Sequence, residues 1–238
     1  MAQLSQWGVP LAVLAMSMLT LVLGVAVNRY QAYQTDVRGV VRRLESGTAE
    51  LVAALAALGR VPLSKELRLV LRSEVLARYR RIRRLYRRYP GIVERIAQAE
   101  RALGVEGPRP AGGVGVIDGE KAFRKTVSSL DCLNRVLERG QMLQPLPADV
   151  RAIFRKELGE RRAEVMSRFH LVAASRYERQ GLENRARTHL IALLQGLRQR
   201  GPSTEFVRQL HAEAQATLSE LDGRRLISAP AMADGAAA

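Results

Sequence analysis

The residues that could carry out catalysis are few and widely separated along this chain. The histidines are His170, His189 and His211, and no two of them have the i, i+4 spacing that places two zinc ligands on one helix face. The single cysteine, Cys132, stands in an apolar helical pattern without a neighbouring histidine, so we expect a buried thiol. The sequence therefore predicts no catalytic residues, no metal site and no cofactor, and the protein is not expected to be an enzyme.

A Gly- and Pro-rich segment, residues 105–119, has no hydrophobic periodicity. It is not a phosphate-binding loop, because the lysine after Gly119 is out of register and Ala122 follows it where a magnesium-binding hydroxyl is needed. It also lacks the third glycine and the preceding strand of a dinucleotide-binding turn. We interpret it as a linker between two helical subdomains.

The strongest chemical signal is a basic stretch, "RYRRIRRLYRRYPG", at residues 78–91. The chain of 238 residues has a formal net charge of +15, so an anionic partner is the first expectation. At 100° per residue Tyr79, Ile82 and Tyr86 share the apolar face of a helix predicted over residues 65–89. The residues expected to contact anionic lipid or an acidic partner lie across from them or at the margin: Arg80, Arg81, Arg84, Arg87 and Arg88.

This basic face has three functional interpretations, besides the simple one of a solvated surface. Single-stranded nucleic acid would require exposed aromatic rings between the basic residues, whereas here the tyrosines are expected to face inward. Acidic lipid headgroups attract each nearby arginine by about 1 kcal/mol. An acidic protein partner is the third interpretation.

The N-terminal residues predict a membrane anchor. No charged side chain precedes Arg29, and residues 8–28 are mostly apolar, which is long enough to cross the hydrocarbon core as a helix. Trp7 at one end, with Tyr30 and Tyr33 at the other, are expected at the membrane interfaces. A signal peptide is less consistent, because the first residues carry no positive charge and no small-x-small site ends the apolar run. A buried core helix is the other alternative.

The flanking charges predict the orientation of this anchor. Lysine and arginine are absent before it, whereas Arg29, Arg38, Arg42 and Arg43 follow it. By the positive-inside rule the N-terminus lies outside and the body lies in the cytoplasm, as in a single-pass protein of a bacterial inner membrane.

The rest of the chain predicts an all-α body. Apolar residues recur at spacings of three and four, and strand-like alternation is absent. The predicted organisation is a short N-terminal tail (1–7), the transmembrane helix (8–28), a stalk with an Arg-rich helical hairpin (29–104), the linker (105–119), a C-terminal helical domain (120–223) and a disordered tail (224–238). Pro62 separates the stalk from the basic helix, and a reversal of the chain there would return the basic helix towards the membrane.

Residues 171–197 resemble one tetratricopeptide repeat. Small and aromatic residues occupy the repeat's packing positions, and a glycine occupies its turn: Ala174, Tyr177, Gly181, Ala186 and Leu190. The resemblance implies a helical hairpin whose helices approach closely, and also a peptide-binding groove. The repeat's terminal proline is missing, and no second copy follows at the 34-residue period.

Together these features predict a membrane-anchored, cytoplasm-facing helical scaffold or adaptor. Its basic helix is expected to contact acidic lipid headgroups, an unidentified protein partner, or both. The alternative is a membrane-tethered nucleic-acid-binding protein. No small-molecule substrate is evident from the sequence.

Overall fold

The computed structural model describes residues 3–104, 114, 115, 117, 119–138 and 142–228, apart from the side chains of residues 3–12, 15 and 225–228. This described part forms seven helices and no strand, which confirms the predicted all-α class. The helices are α1 (Gln3–Ala57), α2 (Lys65–Leu85), α3 (Ile92–Gly104), α4 (Glu120–Glu138), α5 (Ala148–Arg179), α6 (Glu183–Arg200) and α7 (Glu205–Ser228).

Helix α1 is one continuous helix of 55 residues, which includes residues 3–7 of the predicted N-terminal tail. Its side chains are exposed throughout residues 16–33, and Val37 is the first described residue of α1 that packs against the core. The side chains at the start of the predicted transmembrane helix, and that of Trp7, lie outside the described residues. Within the described part of the chain, no helix combines the length and the apolar character that crossing a bilayer requires.

The helices pack in a chain of neighbours. Helix α1 contacts α2 and α4, α3 packs on α2, α5 packs on α4, and α6 and α7 pack on α5 and on each other. The largest core extends from Val41 in α1 to Val165 in α5, and so lies on both sides of the predicted linker. Two smaller clusters join α5, α6 and α7.

The reversal between α1 and α2 is held by a side chain from α5. Ser64 caps α2 by accepting a hydrogen bond from the Leu67 N–H at 3.2 Å. The Ser64 backbone N–H and hydroxyl both donate to the carboxylate of Glu157, the hydroxyl at 2.7 Å. The end of the bundle with the α1–α2 turn is therefore tied to the first half of α5.

The predicted linker is also tied down by a carboxylate. Val114 is buried, and its backbone N–H donates to Glu164 Oε1 at 2.8 Å, while its carbonyl accepts from Arg168. Ile117 packs against the core close by. Residues 105–113, 116 and 118 lie outside the described residues. Val114 and Ile117 thus belong to the core that both halves share, whereas Gly115 and Gly119 are exposed.

A buried ion pair lies where α1, α2 and the α4–α5 connection meet. Glu74 is 0% exposed and Arg78 is 5% exposed, and Arg78 Nε donates to Glu74 Oε1 at 2.7 Å. The Leu143 backbone N–H donates to both oxygens of Glu74 at 3.0 Å. A Cβ at Gly47 would lie only 3.3 Å from Arg78 Nη1, so glycine leaves room for the guanidinium against α1.

Helices α5 and α6 form the antiparallel hairpin at the residues that resemble a tetratricopeptide repeat. Ala174, Ala186 and Leu190 are buried together, with Tyr177 packed against them. Gly181 turns the chain with a φ of +71°, a conformation that costs glycine little. Helix α7 packs on this hairpin and continues to Ser228, so residues 224–228 of the predicted disordered tail are helical; residues 229–238 lie outside the described residues.

Two histidines face each other across this hairpin. The Nδ1 atoms of His170 and His189 are 3.1 Å apart, which requires one imidazole to donate its proton to the other. Burial, and then the neighbouring His189, lower the pKa of His170 to about 4. His170 is therefore neutral at pH 7.

Replacement of Glu74 by glutamine should destabilise the protein by about 3–5 kcal/mol, because it removes one charge of a buried, hydrogen-bonded ion pair. The matched control is Glu100→Gln, which removes an ion pair of 2.8 Å between half-exposed side chains of Glu100 and Arg80. That change should cost less than about 1 kcal/mol. The measurement is the urea concentration at the midpoint of unfolding, monitored by circular dichroism. Similar small shifts for both variants would contradict the assignment of Glu74 as a buried anchor.

Acidification should destabilise the protein partly through His170. Its folded-state pKa of about 4 lies below the unfolded value near 6.5, so the unfolded chain binds the proton first as pH falls through this window. We expect wild type to lose roughly 1–2 kcal/mol more than His170→Asn between pH 7 and pH 4, measured by urea unfolding at each pH. The control is His211→Asn, outside the pair. If His211→Asn reduced the loss of stability between pH 7 and pH 4 as much as His170→Asn does, the role assigned to His170 would be wrong.

Candidate functional site

Four arginines line an open groove where α2 ends and α3 begins. The groove has a volume of about 680 Å³, and its lining residues are Arg80, Arg83, Arg84, Arg87 and Val93; we call it the basic groove. Arg80 pairs with Glu100 at 2.8 Å, so the net positive charge of the groove comes from the other three arginines. Within the described part of the chain no carboxylate pairs with Arg83, Arg84 or Arg87. The groove is therefore a concave surface with a strong positive potential.

The local sequence explains why the groove forms at this place. Helix α2 ends at Leu85, four residues before the predicted end at residue 89, and Tyr86 is extended at φ −142° and ψ 91°. Pro90 disfavours the helical conformation at Tyr89, and like charges within one turn weaken the last turn further. Gly91, with φ +69°, then reverses the chain into α3. Arg87 thus lies in the connection, beside the arginines of the last helical turn.

The connection itself is anchored on α1. The Tyr89 hydroxyl donates a hydrogen bond to the Glu45 carboxylate, and this bond, together with burial, raises the pKa of Tyr89. Arg95 lies 3.3 Å from the same carboxylate, and its guanidinium carbon lies 5.7 Å from the centre of the Tyr89 ring. These contacts hold the α2–α3 connection, at the edge of the basic groove, against α1, which carries the predicted anchor.

The predicted contact residues divide between the groove and its surroundings. Arg80, Arg84 and Arg87 line it, whereas Arg81 and Arg88 are exposed outside the lining. Arg83 was missed by the prediction, although the spacing of residues 80, 83, 84 and 87 is the i, i+3, i+4, i+7 pattern of one helix face. Its position in a stretch so rich in arginine concealed this periodicity.

The tyrosines of the basic stretch do not share one environment. Ile82 is fully buried and Tyr79 packs partly against the core, as the helical phase predicts. The prediction that Tyr86 faces inward is wrong: it is 44% exposed, because the helix ends before it and turns its side chain out of phase. Tyr86 meets Tyr89 edge to face, with ring centres 6.3 Å apart.

The other predicted interface residues lie far from the groove along α1. Tyr30 and Tyr33 are 62% and 65% exposed, and neither belongs to the described core clusters. The side chain of Trp7 is outside the described residues. The predicted membrane interface and the basic groove are therefore separate surfaces.

The groups that could do chemistry remain dispersed. Cys132 is half-buried, and burial raises the pKa of its thiol, which favours the unreactive protonated form. His170 and His189 are paired, but among the described residues no cluster of three or more histidine, cysteine or acidic side chains could hold a metal ion. Among the residues that the structure describes, neither Cys132 nor the histidine pair has the partners of a catalytic site.

Comparison of the chain with models of known protein families, with curated proteins and with solved structures found no match. The resemblance of residues 171–197 to a tetratricopeptide repeat therefore rests on the residues of the α5–α6 hairpin alone.

Truncation of the two tyrosines should separate their roles. Tyr79→Ala removes contacts with the core and should cost about 1–2 kcal/mol of stability. Tyr86→Ala removes an exposed ring and should cost less than about 0.5 kcal/mol. The free energy of unfolding of each variant is to be measured by urea denaturation. Equal costs for the two changes would contradict the placement of Tyr86 outside the core.

Proposed function

We propose that this protein is a membrane-anchored, cytoplasm-facing helical scaffold or adaptor of a bacterial inner membrane. Residues 8–28 cross the bilayer once with the N-terminus outside, and the basic groove contacts acidic lipid headgroups, an acidic protein partner, or both. The observation that carries this proposal is the position of the basic groove at the end of the bundle from which the uncovered apolar part of α1 projects.

The exposure of α1 supports the anchor. Its described large apolar side chains between residues 13 and 27 are each at least 50% exposed, from Val13 and Leu14 to Val25 and Val27. They lie on all sides of the helix, and a helix that is apolar all round is stable only in a protein core or in lipid. No described helix covers residues 16–33, and this exposure supports the proposed insertion into lipid.

The direction of α2 supports a role for the groove near the membrane. Arg78 lies beside Gly47, and Tyr89 bonds to Glu45, so α2 runs antiparallel to α1 and ends towards the predicted anchor. The α1–α2 turn, held by Glu157, lies at the opposite end. The positive charge of the groove therefore faces the side on which the anchor enters the bilayer.

Helix α5 brings further positive charge to the same side. It begins near the α1–α2 turn and runs antiparallel to α4, as the Arg155–Glu138 and Arg162–Asp131 pairs indicate. Its C-terminal turn, with the exposed Arg176 and Arg179, therefore points in the direction in which α2 ends. Two helices deliver basic residues to one end of the bundle.

Distances set a condition for lipid contact. The groove is level with about residue 40 of α1, roughly 18 Å beyond residue 28 along a straight helix. The headgroup layer covers about 6 Å of this, which leaves about 12 Å, more than the Debye length of about 8 Å. Because α2 lies about 10 Å to one side of α1, a tilt of about 30° towards α2 lowers the groove by about 7 Å. Lipid contact thus requires a tilted anchor, whereas a protein partner does not.

The alternative function, binding of single-stranded nucleic acid near the membrane, gains from one observation. Tyr86 is exposed beside the groove, where its ring is available to stack on a base. The other aromatic residues of the stretch, Tyr79 and Tyr89, are half-buried. One exposed ring is a small stacking surface, so the anionic surface of lipid or protein is the better match.

The test uses the full chain in nanodiscs of phosphatidylcholine alone or with phosphatidylglycerol. Amide hydrogen exchange of residues 86–91 should slow several-fold in the acidic discs. A triple variant with glutamine in place of Arg83, Arg84 and Arg87 should abolish this difference, because the charge that contacts the headgroups is removed. The matched control replaces three other arginines by glutamine. They are exposed and lie towards the opposite end of the bundle: Arg60, Arg198 and Arg200.

Three outcomes decide between the candidate partners. Loss of protection in the groove variant alone supports lipid contact. Protection that is equal in both kinds of disc contradicts lipid contact and leaves the acidic protein partner. Slower exchange with a single-stranded oligonucleotide, lost in Tyr86→Ala, supports the alternative function and overturns the first.

A further inference from the structure

A second concave surface lies between the start of α4 and the α5–α6 hairpin, apart from the basic groove. It is a cleft of about 400 Å³, a volume within the range of small-molecule sites. Five rings line it: Phe123, Phe169, His170, Tyr177 and His189. We call it the aromatic cleft.

The rings of the aromatic cleft are mutually ordered. Phe123 and Phe169 stack with ring centres 4.1 Å apart and planes 7° from parallel. His170 meets both edge to face, at 5.6 and 5.3 Å. Tyr177 stacks on His189 at 5.4 Å. Since each ring is held by another, the wall is preorganised and a planar ligand would order few side chains on binding.

The polar groups of the cleft favour a negative charge on its ligand. Arg176 lines the cleft, is exposed, and has no carboxylate partner within the described residues. Glu120 lines it too, but its Oε1 accepts from Arg124 Nη2, so its charge is already compensated. His170 is neutral at pH 7, because burial, and then the neighbouring His189, lower its pKa to about 4. Arg176 is therefore the uncompensated charge at the cleft.

We propose that the aromatic cleft is a binding site for a planar aromatic carboxylate. The ligand ring packs against the aromatic wall, which favours offset-stacked and edge-to-face contacts. Its carboxylate pairs with the guanidinium of Arg176, whose two parallel N–H groups match the two oxygens. The neutral imidazole of His170 offers a hydrogen-bonding group without adding a charge.

This ligand class follows from comparison with other classes. A saturated carboxylate would pair with Arg176 but would lose the ring contacts. An aromatic cation would be repelled by Arg176, and a metal ion would find only two imidazoles, with no third protein ligand among the described residues. Of these four classes, only the aromatic carboxylate uses both the ring wall and the charge of Arg176. The inference uses no residue of the basic groove and does not depend on the proposed function.

The test measures binding of 1-naphthoate to the purified full chain in a non-ionic detergent by isothermal titration calorimetry, with the detergent buffer alone subtracted. Cyclohexanecarboxylate tests the contribution of the aromatic ring, and 1-naphthalenemethanol tests that of the charge. We expect saturable binding of naphthoate, with each comparator at least tenfold weaker.

The matched variants are Arg176→Gln and Arg179→Gln. Both residues are exposed on α5, but Arg179 does not line the cleft, so neither change should disturb the fold. Arg176→Gln should weaken naphthoate binding about tenfold or more, whereas Arg179→Gln should change it less than about twofold. Phe169→Leu, with its fold checked by circular dichroism, should weaken naphthoate binding but not that of cyclohexanecarboxylate.

Three results would overturn the proposal. They are the absence of saturable naphthoate binding up to about 5 mM, equal binding of naphthoate and cyclohexanecarboxylate, and an equal effect of the Arg176 and Arg179 variants. None of these results bears on the lipid contact of the basic groove, because the two sites share no lining residue.

Discussion

The first half of the bundle depends on the buried carboxylate of Glu74. Taking a carboxylate and a guanidinium out of water costs several kcal/mol for each ion, and the cost is offset only when both remain paired and hydrogen-bonded. Glu74 meets this requirement, because Arg78 lies 2.7 Å away and the Leu143 N–H donates to both oxygens. The pair therefore holds α2 against the α4–α5 connection, and Gly47 lets α1 approach the same guanidinium.

The same chemistry recurs at two other connections. Glu157 accepts from the backbone of Ser64 at the α1–α2 turn, and Glu164 accepts from the backbone of Val114 in the segment before α4. A connection between helices has backbone N–H groups without helical partners, and leaving them buried and unsatisfied is costly. Because these two carboxylates belong to α5, this helix is joined both to the α1–α2 turn and to the segment before α4.

This use of acidic residues shapes the surface that remains. Several of the glutamates are directed inwards or paired with neighbouring arginines, so the excess of basic residues is left on the outside. Six exposed arginines lie between residues 80 and 88, at the end of α2, and four of them line the basic groove. Negatively charged partners are therefore expected at one end of the bundle rather than over its whole surface. The aromatic cleft differs, since its single uncompensated charge, Arg176, lies beside a wall of rings.

The sequence by itself determined the helices and the excess of positive charge, because hydrophobic periodicity, glycine and proline act over a few residues. It also identified most of the arginines of the groove. It did not reveal the exposure of Tyr86, the role of Arg83 or the burial of Val114, which depend on where a helix ends and on what packs against it. Least of all did it reveal the aromatic cleft, whose rings come from residues as far apart as Phe123 and His189. Only the tertiary structure decided which side chains meet, because contacts between distant residues depend on the packing of whole helices, which no local pattern records.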